Sequence, residues 1–103
     1  MEEFCQVLIS ATSREEANNI SDNLVKKKLI AGSLITNGDS RYWWEGKIVE
    51  KVYYNISAFS ILKNEDKIIS EVKILHSDKC PIISFTKIEG NKEFLNWIEE
   101  SVR

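Results

Sequence analysis

Histidine, carboxylate and thiol meet once in this chain, at His76-Ser77-Asp78-Lys79-Cys80-Pro81. These side chains ligate transition metals, and imidazole suits copper and zinc. His76 is the only histidine among 103 residues. It is therefore the first candidate ligand for a divalent metal ion, with Asp78 and Cys80 beside it. The spacing matches no recognised metal motif, and a protein site takes three or four ligands. A complete site inside one chain is thus weakly supported. The plainer reading of a lone histidine after an apolar helical run is a helix-ending residue.

A second stretch, Tyr42-Trp43-Trp44-Glu45-Gly46-Lys47, gathers aromatic surface. Side chains along a strand alternate between faces, so these aromatics cannot share one core. The pattern places Trp43 toward the core and Tyr42 and Trp44 over a sheet edge or subunit interface. The alternative is an aromatic wall for a ligand, with Lys47 as its charged partner. Elsewhere the chemistry thins out. There is no GxSxG, no P-loop and no GxGxxG, and Cys5 lies within an apolar strand. Glu15, Glu16, Glu65, Asp66, Glu99 and Glu100 fall on helix starts and outer faces, where they cap and solvate. No nucleophile–base pair is visible, so the expectation is a protein that is not an enzyme and requires no cofactor.

The formal net charge of −2 argues against a phosphate-tracking surface for nucleic acid and against a polybasic membrane patch. Lys26-Lys27-Lys28 suits the negative end of a helix dipole. No run approaches the ~18 apolar residues of a spanning helix, so no membrane insertion is expected. Met1-Glu2-Glu3 lacks the pattern of a secretory signal. Two cysteines, Cys5 and Cys80, cannot form a dense disulfide framework and read as free thiols of a reducing compartment. The expected location is cytoplasmic. A composition 43% hydrophobic and 29% charged is globular, and the length fits one domain over residues 1–103.

The elements that must position these residues follow from periodicity. Phe4 to Ser10 is a strand apolar on both faces, which belongs inside a sheet. Ser13-Arg14-Glu15-Glu16 is a capping box, followed by Ala17, Ile20, Leu24 and Val25 on one helical stripe. Ser33 to Thr36 forms a short strand, reversed at Asn37-Gly38-Asp39. Tyr42 to Trp44 is extended again, and Glu45-Gly46-Lys47 makes a second reversal. Ile48 to Leu62 is a long strand with Val52, Tyr54, Ile56 and Ala58 on one face and Tyr53, Asn55, Ser57 and Phe59 on the other. Asn64 caps a helix carrying Ile68, Ile69, Val72 and Leu75, which ends before Pro81. Ile82 to Ile88 is a strand, and a last helix turns Phe94, Leu95 and Ile98 inward.

This order predicts an α+β fold, a ferredoxin-like β-α-β-β-α-β sandwich with an extra C-terminal helix. Its sheet is antiparallel, with the two main helices on one face. RNA recognition motifs share that order, but they need stacking aromatics on the central strands and a basic surround. The first strand here offers one aromatic, Phe4, and the balance is acidic. A long ribbon with exposed aromatics and an open edge is an aggregation hazard in a single chain. Pairing with other copies removes the hazard, so an oligomer is expected.

Read in order, Tyr42-x-Trp44-x-Gly46-Lys47-Ile48, Leu29-x-Ala31, Ile61-Leu62-Lys63, Leu75-His76 with Pro81, and Phe94-Leu95-x-Trp97-Ile98 resemble the CutA family of divalent-cation-tolerance proteins. The resemblance runs from Val7 to about Val102. It implies a tight homotrimer whose ribbons pair between subunits, similar in architecture to the PII signalling proteins. It also implies divalent-cation binding and a link to copper tolerance, with Tyr42, Trp44 and Lys47 lining a cleft between subunits near His76. The chain departs from the family pattern in places. The cysteine usual after the first helix is Gly32, and the one some members carry at the end of the first strand is Ile9. The family's His-Pro-Tyr-Glu-x-Pro-Glu is here His76-Ser77-Asp78-Lys79-Cys80-Pro81-Ile82. A small-molecule sensor or interaction scaffold of the PII type is the alternative function.

Overall fold

One long strand, over residues 47–61, organises the molecule. Val, Ile, Tyr and Phe dominate residues 47–61, and such side chains fit a pleated, half-buried surface. A computed structural model describes residues 2–102; Met1 and Arg103, the ends of the expected 1–103 domain, lie outside it. In chain order the elements are β1 (Phe4–Ala11), α1 (Arg14–Lys26), β2 (Gly32–Trp44), β3 (Lys47–Ile61), α2 (Glu65–Leu75), β4 (Ile83–Ile88) and α3 (Lys92–Ser101). The sheet runs β2-β3-β1-β4, and every neighbouring pair is antiparallel. This is the expected α+β fold with its added C-terminal helix.

The two faces of the sheet are covered unequally. Cys5, Val7, Ile9 and Ala11 of β1 and Ile56 and Ala58 of β3 pack against Ala17, Ile20 and Leu24 of α1 and Ile68 and Val72 of α2. On the other face, α3 covers one end, where Ile98 and Val102 meet Ile61, Phe4, Phe59 and Ile88. Beyond that end this face lies open, and Leu8 and Leu34 are exposed there.

Three local expectations are corrected. Asn37-Gly38-Asp39 does not reverse the chain: β2 is continuous, and these residues pair with Tyr54, Tyr53 and Val52. Turn residues permit a reversal without forcing one, and an unbroken ladder with β3 pairs the backbone groups that face it. Val25 lies off the buried stripe at 42% exposure. Asn64 occupies the cap position of α2 without capping it: its amide donates to Leu29 O at 3.2 Å and Ser60 Oγ at 3.3 Å.

The Glu45-Gly46 reversal holds. Trp44 pairs with Lys47, leaving two turn residues, both with positive φ (50° and 77°). Primed two-residue turns match the twist of a hairpin and require that conformation. Nothing lies within 4 Å of a Cβ built on Gly46, so backbone strain alone decides the cost of a side chain there. Gly46→Ala is expected to destabilise by about 1 kcal/mol, read as a lower midpoint in urea at fixed protein concentration.

Candidate functional site

The site is built where β1 ends, α1 begins and α2 ends. His76 terminates α2, with its N–H on Val72 O at 2.8 Å. Its side chain is fully buried. The Asp78 N–H donates to His76 Nδ1 at 3.0 Å. Nδ1 therefore carries no proton, and Nε2–H donates to the carbonyl of Ser10 at the end of β1. Both ring nitrogens are engaged by the backbone. With the ring neutral, the 3.9 Å approach of Nδ1 to Glu16 Oε1 is not an ion pair.

Glu16 ties the same segment to α1. Ser13 accepts the Glu16 N–H at 3.1 Å, as a capping box requires. The carboxylate, however, does not return to Ser13. It accepts from Thr12 N–H at 2.8 Å, from the Thr12 hydroxyl at 3.0 Å and from Ser77 N–H at 2.8 Å. Burial pushes this carboxyl upward, but the bonds from Thr12 and Ser77 outweigh burial and hold it at about 2. Glu16 is legible in the sequence as a cap but not as a clamp, because Ser77 is 61 residues away.

The ribbon of β2 and β3 reaches this loop through one side chain, Tyr53, that no sequence motif singles out. The Tyr53 hydroxyl donates to Asp78 Oδ2 at 3.0 Å and lies 3.1 Å from the Tyr42 hydroxyl. The two rings stack at 5.8 Å, and Lys51 Nζ sits 5.0 Å from the Tyr53 ring centre. Burial first, then the bonds to Tyr42 and Asp78, push the Tyr53 phenol above its usual range. Among the described residues, no hydrogen bond or ion pair joins Trp44 or Lys47 to the His76 loop. Those two face each other across the hairpin end of the ribbon.

The expectation that Trp43 faces the core is corrected. Trp43 pairs with Ile48, on the same face as Ile35 and the buried Ile56. The alternation holds, yet Trp43 is 72% exposed, because the ribbon runs past the end of the helices that would cover it. Trp44, Ile48 and Val52 are exposed with it. Gly32, where the resemblance places a cysteine, touches another aromatic. A Cβ there would meet the Trp97 ring at 3.0 Å, so a cysteine would require that ring to shift.

The donor set does not make a metal centre within one chain. Both His76 nitrogens are occupied, Asp78 already accepts from Tyr53, and Cys80 is exposed. Among the described residues, no three His, Cys, Asp or Glu side chains gather to hold an ion. Cys5 is buried, and burial together with the charge of Glu65 pushes its thiol up to about 11, so it stays protonated and unreactive. No helix of the described residues is long and apolar enough to cross a membrane.

The CutA1 divalent ion tolerance protein family matches residues 5–101. The divalent-cation tolerance protein CutA of Archaeoglobus fulgidus is 39% identical over 97 residues, covering 93% of this chain and 95% of its own. Its counterpart from Thermus thermophilus is 35% identical over 97 residues, covering 92% and 94%. The solved structure of the A. fulgidus protein, described as periplasmic, superposes with a TM-score of 0.93 at 38% identity and full coverage of both chains. The T. thermophilus structure superposes at 0.91 and 34% identity, again over both whole chains.

Proposed function

We propose, on the premise that the chain belongs to the CutA1 divalent ion tolerance family, that it works as a homotrimer that takes up divalent cations, copper foremost. In this reading it contributes to metal tolerance without catalysing a reaction. One observation carries the assembly: the open sheet face and the ribbon present Leu34, Trp43, Ile48 and Val52 at 64%, 72%, 56% and 44% exposure. So much outward apolar surface on one small chain marks a surface covered by a partner. Copies of the same chain are the partner proposed, with Tyr42, Trp44 and Lys47 lining the junction between them. Since one chain does not assemble a ligand set, the cation is placed at those junctions. The exposed Cys80 and the Asp78 carboxylate oxygen not bonded to Tyr53 are the donors proposed, and symmetry brings equivalent donors together.

Sedimentation velocity from low to high micromolar concentration, followed by calorimetric titration with Cu(II), tests both halves. The expected result is a single species of three chains, and copper uptake that falls when Asp78 and Cys80 are replaced together by Ala. A lone chain at every concentration would end the assembly; uptake unchanged in the double variant would end the proposed ligands.

The second reading is a PII-like sensor or interaction scaffold. It is favoured by the stacked Tyr42–Tyr53 pair beside a donor set that forms no metal cluster. Thermal stabilisation by a small metabolite and none by Cu(II) would select it. The two free thiols support a reducing compartment, the cytoplasm, for this chain.

A further inference from the structure

We infer that His76 is the post on which the loop between α2 and β4 is wound, holding Asp78 against Tyr53 of the ribbon, and that it is not a metal ligand of the folded chain. An imidazole binds a metal through an unprotonated ring nitrogen. In His76 that nitrogen is Nδ1, and it already accepts the Asp78 N–H at 3.0 Å. The other nitrogen holds its proton against the Ser10 carbonyl. The side chain has no exposure to solvent. An ion reaching Nδ1 would have to displace that backbone donor from a side chain closed to solvent.

The same bonds give the ring its positive role. Two consecutive amides of the loop are fixed: Ser77 N–H by Glu16 and Asp78 N–H by His76. With its main chain pinned, Asp78 presents Oδ2 to the Tyr53 hydroxyl at 3.0 Å. The hydroxyl of Tyr53 lies 3.1 Å from that of Tyr42. His76 is thus a positioning residue, acting on the ribbon through Asp78. The loop and the aromatic ribbon, separate motifs in the sequence, become one mechanical unit.

His76 is the only histidine, so its ring nitrogens can be followed without ambiguity by nitrogen-15 NMR of the full-length chain. The expected spectrum is that of the neutral Nε2–H tautomer, unchanged when Zn(II), a diamagnetic probe, is added to saturation. The Asp78 amide should exchange slowly with solvent in the wild type. It should exchange faster by about tenfold in His76→Ala, the loss of one hydrogen bond, with partial recovery in His76→Gln, which keeps a side-chain donor and acceptor. An Nδ1–H tautomer, or a Zn(II)-induced shift of Nδ1 as large as direct coordination produces, would overturn the inference. So would an Asp78 amide that exchanges as fast in the wild type as in the variants. A chain that bound no Zn(II) would count against the proposed metal role, while the tautomer and the exchange rates would still decide this one.

Discussion

Leu34→Asp should break the proposed assembly into single chains while leaving each chain folded. Leu34 lies opposite Ser57 on the sheet face away from α1 and α2, and 64% of it is exposed. In an isolated chain, a substitution at so open a position changes stability by no more than about 0.5 kcal/mol. If other copies cover that face, the same carboxylate is buried without a partner, at a cost of several kcal/mol. Each 1.4 kcal/mol is about tenfold in affinity, so the assembly should weaken by two orders of magnitude or more. Sedimentation velocity reads the result, with Leu34→Ala as the control for lost apolar area. The proposed assembly shares stability among its chains, so melting of the wild type should depend on protein concentration, and that of the variant should not. Wild-type mass and melting in Leu34→Asp would place the interface elsewhere.

Glu16 carries the second large effect, and it appears as a dependence on pH. The carboxyl is held at about 2 in the folded chain, against an ordinary value of 4.5. A group lowered on folding stabilises the charged form, so its contribution is full above the ordinary value. It is lost as pH falls from about 5 toward 2. Glu16→Gln removes the charge and turns an amide N–H toward the donors of Thr12 and Ser77, so a cost of about 2–3 kcal/mol is expected at neutral pH. The difference between wild type and variant should shrink as pH falls. Urea unfolding at pH 7, 4 and 3, at one protein concentration, measures it. Parallel curves for the two proteins across that range would mean that Glu16 does not hold the loop through its charge.

The Glu16 clamp and the His76 post mark the limit of what the sequence makes legible. Glu16 was legible as a cap because Ser13 lies three residues away and the capping geometry is local. That its carboxylate binds Ser77, and that His76 binds Ser10, depends on contacts spanning 61 and 66 residues, and no spacing rule reaches so far. Tyr53 was assigned to the correct face of β3, but its bond to Asp78 required the loop to come round the end of the sheet. Asn37-Gly38-Asp39 misled because turn chemistry is a local permission, and the ladder with Tyr54, Tyr53 and Val52 overrode it.

Alternation and periodicity by themselves determined the element order, the antiparallel α+β class, and the stripes Ala17/Ile20/Leu24 and Ile68/Val72 that bury α1 and α2. They could do so because apolar side chains must share one side of a helix or strand to leave water together. The tertiary structure alone decided how far the helices extend over the sheet. Where they stop, Trp43 changes from an expected core residue into a 72% exposed one without changing face. It alone decided, too, that both nitrogens of His76 are taken by backbone groups. Coverage and hydrogen-bond partners depend on where distant segments end in space, which no local pattern of residue types encodes.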